Sequence, residues 1–371
     1  MRTEGSEQIV ERGNHRPRLS AGRAPALPVG SSFASGTPAG RPTARRSAGP
    51  PVLSWFAPGR SGSLSGRQTD EDGPMRLGIF LAPTAIDSYV ADCQAAADAG
   101  FASVWSPQLF GLETLAAIAV AGATVKNITF GTAVVPTYPR HPATMAQLAL
   151  TAQAATGGRL VLGIGLSHQV VIEGMYGMSF DKPAVHMREY LSILNPLIND
   201  RRVSYEGSAL TFKGAVTFPG IDPCPVLLAA LAPAMLRLAG SMADGTILWM
   251  TGPRTISEHI IPTMHSAAVD AGRPTPQTVV GLPVCLTNDV DAAKARAAKE
   301  FVIYGTLPSY RAVLDREGAA GPADIAMIGD ENAIAAHVQR VADSGATEFC
   351  ASVFGSPEDR ERTRSFLATL L

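Results

Sequence analysis

The segment ITFGTAVVPTYPRHPATMAQLALTAQAATGGRLVLGIGLSHQ, residues 128–169, restricts the fold more than any other part of the chain. Ile128 to Val135 is rich in β-branched residues and predicts a strand, which Pro136 and Pro139 stop because proline cannot donate to a ladder. A helix then opens near Pro142 and closes at Gly157-Gly158, with Met145, Leu148, Ala149, Ala152 and Ala155 at helical spacing. A second apolar strand over 160–164 follows. Strand, helix and strand in this order make a crossover between parallel strands, and such sheets keep their chemistry at the strand C-terminal ends.

The alternation continues on both sides of this unit. Strands are predicted over 76–81, 101–105, 226–230, 246–250, 279–286 and 348–353, separated by helices over 85–99, 112–124, 233–243, 256–271, 290–304 and 331–344, with a terminal helix after the last strand. A helix carrying Met187, Tyr190, Leu191, Leu194 and Ile198 on one face is kinked or ended by Pro196, and a short helical insert lies around 310–316. Residues 202–212 read as a hairpin turning at Glu206-Gly207. Eight strands, each with a helical return, predict an α/β fold of the (β/α)8 TIM-barrel type with a small hairpin excursion, over an open doubly wound sheet.

Composition enters where it limits function. The 371 residues are 46% apolar and carry a formal net charge of −1, so bulk electrostatics gives no reason to expect a nucleic-acid or membrane-surface partner. No apolar run approaches the ~18 residues a spanning helix needs. Cys93, Cys224, Cys285 and Cys350 show no metal-ligand spacing and read as free thiols in a reducing cytoplasm. Residues 1–74 are dense in Gly, Pro, Ser, Ala and Arg, hold no Lys, and have no acidic residue between Glu11 and Asp70. Such a composition buries too little apolar surface to offset chain entropy, so this segment is expected to be disordered, with a barrel domain over 75–371.

Several residues could carry chemistry. Gly163-Ile-Gly165-Leu-Ser167-His168 lacks the third glycine and the immediate helix of a dinucleotide fingerprint. Ala230-Leu231-Ala232-Pro233 turns from a strand straight into a helix with small side chains, which suits a phosphate, and a tight connection with no ligand is the competing reading. His141 and His168 both follow strand C-terminal ends as candidate catalytic groups, or as loop histidines bonded to backbone. His186 and Glu189 are expected as a surface helix pair. No Ser-His-Asp elbow, Walker loop or metal-binding pair occurs.

Taken together, MRLGIF, GFASVW, GTAVVPTYPRHP, GGRLVLGIGLSHQ, MADGTILWM and LPVCLT resemble the bacterial luciferase-like superfamily over residues 75–371, and GMYGMSFDKPAVHMREYL resembles its oxidoreductases that use the deazaflavin coenzyme F420. The resemblance implies a bulge at Ala133-Val134, with a cis peptide, backing the deazaflavin ring. It also implies contacts to the coenzyme from Gly165, Leu166, Ser167 and His168, and a phosphate on the turn Leu231, Ala232 and Pro233. Many relatives carry Asp-His after strand two, where this chain has Gln108-Leu109. His168 is the nearest substitute, standing where the sugar-phosphate dehydrogenases of the superfamily carry a glutamate. The implied activity is F420-dependent hydride transfer to or from a small organic substrate. An FMNH2-dependent monooxygenase and a non-catalytic flavin-binding relative are the alternatives, and a homodimer is left open.

Overall fold

The computed structural model describes residues 73–218 and 220–371. The expected disorder of residues 1–74 therefore falls, Gly73 and Pro74 apart, outside the described residues. The chain runs β1 (Arg76–Phe80), α1 (Ile86–Asp98), β2 (Ser103–Ser106), α2 (Thr114–Thr124), β3 (Thr129–Thr132), β4 (Val135–Pro136), α3 (Pro142–Ala155), β5 (Leu160–Gly165), α4 (Gln169–Gly174) and α5 (Pro183–Asn199). A hairpin, β6 (Arg202–Glu206) and β7 (Thr211–Ala215), precedes β8 (Val226–Leu228), α6 (Pro233–Met242) and β9 (Gly245–Trp249). Next come α7 (Pro253–Thr255), α8 (Ile261–Asp270), β10 (Gln277–Leu286), α9 (Val290–Glu300), α10 (Pro308–Glu317), β11 (Met327–Gly329), α11 (Glu331–Asp343), β12 (Glu348–Val353) and α12 (Pro357–Ala368).

All barrel pairings are parallel, in the order β1-β2-β3-β5-β8-β9-β10-β12, and β12 pairs back to β1 with Arg76 opposite Glu348. The sheet is thus a closed eight-stranded barrel ringed by helices. Strand alternation sorts side chains into two cores. Along β9, Ile247 joins Trp105, Val161, Leu227, Val279 and Cys350 inside the barrel, while the next residue, Leu248, joins the larger core under the helices. At the barrel's N-terminal end the buried carboxylate of Glu348 accepts from Ser103 Oγ, Trp105 Nε1 and Arg76. A fully buried charge is costly unless it is paired and hydrogen-bonded, and all three partners serve that need.

Several elements depart from the sequence reading. The predicted strand over 128–135 is two strands, because the chain bulges at Ala133-Val134 between β3 and β4. Residues 165–183 contain α4, and the extra strand β11 pairs with β10. Helix α5 continues through Pro196 for three more residues. A proline interior to a helix costs about 3 kcal/mol. Here Leu197 and Ile198 are buried and Asn195 Nδ2 donates to the Met242 carbonyl at 2.6 Å, so packing outweighs that cost. The single helix predicted over 256–271 instead has a π-turn, Ile256–Ile260, which leads into Pro262 on the first turn of α8. Extra residues per turn are one way a helix accommodates a missing N–H.

Candidate active site

The C-terminal ends of the barrel strands converge on the Ala133-Val134 bulge, whose peptide bond is cis. Glycines opposite it leave the room it occupies. A Cβ on Gly163 would stand 1.9 Å from the Thr132 carbonyl oxygen, and one on Gly165 would stand 2.6 Å from Val134 Cγ2. The bulge interrupts regular pairing with β5, and the Thr132 side chain replaces it. Its hydroxyl donates to the Gly163 carbonyl at 2.7 Å and accepts from the Gly163 N–H at 2.8 Å. Ala133 N–H donates to the Ser106 carbonyl at 2.8 Å, tying the bulge to β2 as well. Ala133 and Val134 are half-buried above the interior core, beside Phe80.

Beyond β5 the chain turns sharply. The Gly165 carbonyl accepts from Thr137 N–H at 2.9 Å, Leu166 packs on the outer core, and Ser167 sits at φ 61°, in the left-handed region that non-glycine residues rarely adopt. His168 begins α4, its carbonyl accepting from Val171 and Ile172, and its ring lies 5.9 Å from that of Tyr310. Burial holds its imidazole below the usual histidine range, so at neutral pH the ring is neutral, one donor and one acceptor.

On the same face, Leu231, Ala232 and Pro233 form the turn into α6. Ala232 is the N-cap, Pro233 takes the first helical position, and no side chain among the described residues caps the helix. The N–H groups of Ala234 and Met235 therefore keep the unsatisfied character of a helix start. The turn is fixed from behind by His259, whose Nε2 donates to the Leu231 carbonyl at 3.1 Å.

His141 is placed differently from His168. Its Nδ1 accepts from Ala143 N–H at 3.2 Å as the N-cap of α3, its ring is 5.8 Å from Phe212 of the hairpin, and the residue is exposed. That engagement serves the helix and hairpin, and the structure does not bring His141 together with His168. Gln108 is also engaged at both ends, accepting from Thr114 N–H and donating to the Leu109 carbonyl, each at 2.8 Å, while Leu109 is 63% exposed. The surface pair expected from His186 and Glu189 is not found: both are buried. His186 Nε2 lies 3.1 Å from Thr137 Oγ1 and its ring stacks on Tyr138 at 4.0 Å, while Glu189 accepts from the hairpin turn.

The sequence reading missed an aromatic group at this mouth. Phe80 and Trp249, from the ends of β1 and β9, lie 5.4 Å apart over Gly281, where a Cβ would stand 2.8 Å from Phe80. Tyr304 and Tyr310 continue from them. Inward-facing Trp249 is legible in retrospect from its two-residue spacing with Ile247. Among the described residues no group of His, Cys, Asp and Glu is arranged to hold a metal, and no helix is long and apolar enough to cross a membrane.

The family model for luciferase-like monooxygenases matches residues 53–364. The chain belongs to this family of oxidoreductases. It is 28% identical over 267 residues to a 5,10-methylenetetrahydromethanopterin reductase of Methanolobus tindarius, covering 70% of this chain and 80% of that one. In fold it matches the coenzyme F420-dependent tetrahydromethanopterin reductase of Methanopyrus kandleri (TM-score 0.68, 20% identity, 80% of this chain and 98% of that one). It also matches the oxygenating component of 3,6-diketocamphane monooxygenase of Pseudomonas putida, solved with FMN (TM-score 0.65, 16% identity, 80% and 97%). The solved neighbours thus include one that depends on F420 and one solved with FMN, coenzymes that each carry a planar ring and a phosphate. The residues at the barrel mouth suit such a group: a bulge seated on two glycines for the ring, and an uncapped helix start lined by alanine and proline for the phosphate.

Proposed function

We propose that the chain is a coenzyme F420-dependent oxidoreductase acting on a small organic molecule in the cytoplasm. The observation carrying this reading is the Ala133-Val134 bulge seated on Gly163 and Gly165 at the barrel mouth, because it offers a fixed apolar backing to one face of a planar ring and leaves the other face to substrate. When bound, the reduced deazaflavin supplies a hydride to an electron-poor carbon. Gly165, Leu166 and Ser167 border the ring, and Ala232, with the N–H groups of Ala234 and Met235, takes the phosphate at the positive end of α6. Neutral His168 presents an N–H to a substrate oxygen. Cys93, Cys285 and Cys350 are buried free thiols, which accords with a reducing compartment.

Titration of purified protein with F420 and with FMN, following coenzyme fluorescence, tests the reading. Preferential binding of F420, and turnover of activated enones or nitroaromatics with reduced F420 in the absence of oxygen, is the expected result. Preference for FMN with turnover only under oxygen would make the protein a monooxygenase, and uptake of neither coenzyme would favour a non-catalytic relative. Oxidised F420 mixed with glucose 6-phosphate should keep its visible absorbance, since Leu109 cannot act as a base and Lys294 and Lys299 are exposed on α9.

A further inference from the structure

The segment between α9 and β11 lies outside the strand-helix alternation of the barrel: a 3₁₀ turn, Val302–Gly305, leads into α10. Its two tyrosines complete a ladder of rings across the barrel mouth. Centroids are 5.4 Å apart for Phe80 and Trp249, 5.9 Å for Trp249 and Tyr304, 4.9 Å for Tyr304 and Tyr310, and 5.9 Å for Tyr310 and His168. The ladder therefore runs from the ends of β1 and β9 to the loop after β5. Neighbouring rings are inclined by 55° to 67°, tilted in the two end pairs and edge-to-face in the two middle pairs, where ring quadrupoles attract.

Polar groups on this wall are few and uncharged. Burial pushes the Tyr304 and Tyr310 hydroxyls above their ordinary range, partly offset at Tyr304 by the neighbouring Trp249 N–H, so both stay protonated. The Trp249 N–H itself is buried and, among the described residues, meets no acceptor with hydrogen-bond geometry. The Tyr310 hydroxyl makes no hydrogen bond to another described residue and, unlike the Trp249 N–H, is not among the buried atoms left without a partner, so it remains open to an incoming acceptor. Arg311, next in sequence, is committed to Asp315 and to the carbonyls of Ala319 and Ala320. Across the same face, Phe110 is 65% exposed and its ring lies 6.4 Å from that of Tyr176, the first on the β2–α2 connection and the second just past α4. An apolar recess of about 260 Å³ lined by Pro83, Pro107, Leu109 and Leu112 opens beside the β1 and β2 ends.

We propose that Tyr310 determines substrate specificity: its hydroxyl, set in an aromatic wall without a free cation, donates to the oxygen of an uncharged planar substrate, an aromatic enone, quinone or nitroaromatic. The proposal rests on the coenzyme reading only in taking this face as the substrate side. A flat π-system gains stacking on the rings, and its carbonyl or nitro oxygen satisfies a donor that the protein leaves open. Among the wall residues Phe80, Trp249, Tyr304, Tyr310 and neutral His168, an anionic substrate would find no counter-charge.

The test is calorimetric titration of chromone, an uncharged aromatic enone, into protein saturated with oxidised F420, with F420 affinity measured separately by fluorescence. Tyr310→Phe keeps the ring and removes the donor, and should weaken chromone binding by about fivefold, the worth of one neutral hydrogen bond. Tyr310→Ala should weaken it further, and F420 affinity should not change in either variant. Naphthalene, which has no acceptor, should bind wild type and Tyr310→Phe alike, and 2-naphthoate should bind more weakly than chromone. Equal chromone affinity in wild type and Tyr310→Phe, or 2-naphthoate binding as tightly as chromone, would overturn the proposal. If F420 fails to bind, the coenzyme reading falls by itself, and the same titrations on the coenzyme-free protein still decide the role of Tyr310.

Discussion

Among the described residues, two places that gather several backbone N–H groups towards one point are furnished in opposite ways. In the hairpin turn, the N–H groups of Ser208, Ala209 and Leu210 each meet the Glu189 carboxylate at 2.8 Å, with the Ser208 hydroxyl at 2.7 Å. Gly207 makes the approach possible, since a Cβ there would stand 2.4 Å from Glu189 Oε2. At the start of α6 the donors meet no side chain among the described residues. The start of α3 is a useful third case: it has the same proline in its first turn, but His141 accepts one N–H. The hairpin-turn and α3 donors receive an acceptor from a side chain, whereas those at the candidate coenzyme turn, like those at the starts of α1, α5 and α10, receive none.

Removing the internal anion should have the largest effect. Glu189→Gln leaves the turn donors facing a neutral amide and should destabilise the protein by on the order of 3 kcal/mol, as expected when a buried charge-assisted cluster is broken. The pH dependence sharpens this. Burial alone would raise the Glu189 carboxyl, but its hydrogen bonds to Ser208, Ala209 and Leu210 outweigh that and hold it at about 2. A lowered folded-state value means the stabilisation is complete above the unfolded carboxylate range, near 4.3, erodes as pH drops beneath it, and is gone once pH falls through the folded value. Thermal melts of wild type and Glu189→Gln between pH 7 and pH 2 should therefore converge on acidification, and parallel curves would show that the cluster is not held by charge.

Supplying an anion where there is none should have two opposite effects. Ala232→Asp caps α6 and should stabilise the free protein by about 1 kcal/mol. The same carboxylate stands beside the proposed phosphate and should weaken coenzyme binding by about tenfold. A raised melting temperature with unchanged coenzyme affinity would remove the α6 turn from the site. The smallest effect is expected at α3, where His141→Ala removes a cap and should cost about 1 kcal/mol with no change in coenzyme affinity. A loss of affinity comparable to that of Ala232→Asp would instead bring His141 into the site.

The barrel was legible because its signal is repeated: apolar strands and helical returns recur in order, so one uncertain boundary does not alter the count. Features made by a single contact between distant segments were not. His186 and Glu189 are three residues apart, which reads as one helix face, but only the returning hairpin over Glu189 and the Thr137-Tyr138 loop over His186 decide that this face is covered. The segment over 165–183 has Gly174 and Gly177 and no clear period, which hid α4, and β11 has three residues. The bulge position followed from resemblance, since nothing in the local propensity of GTAVVP distinguishes an interrupted strand from a continuous one. Tyr304 and Tyr310 fall in an irregular insert whose neighbours become visible only in three dimensions.

The carboxylate at the barrel floor also bears on how the chain is made. Glu348 accepts from Arg76, Ser103 and Trp105, so the first two strands bond to the last, across as many as 272 positions of sequence. Joining ends that far apart carries a chain-closure entropy on the order of 5 kcal/mol. During synthesis, β1 and β2 emerge long before their partner strand does. Until β12 leaves the ribosome the nascent sheet keeps an open edge along β1, and the guanidinium, hydroxyl and indole donors that await Glu348 have only water or a chaperone to meet.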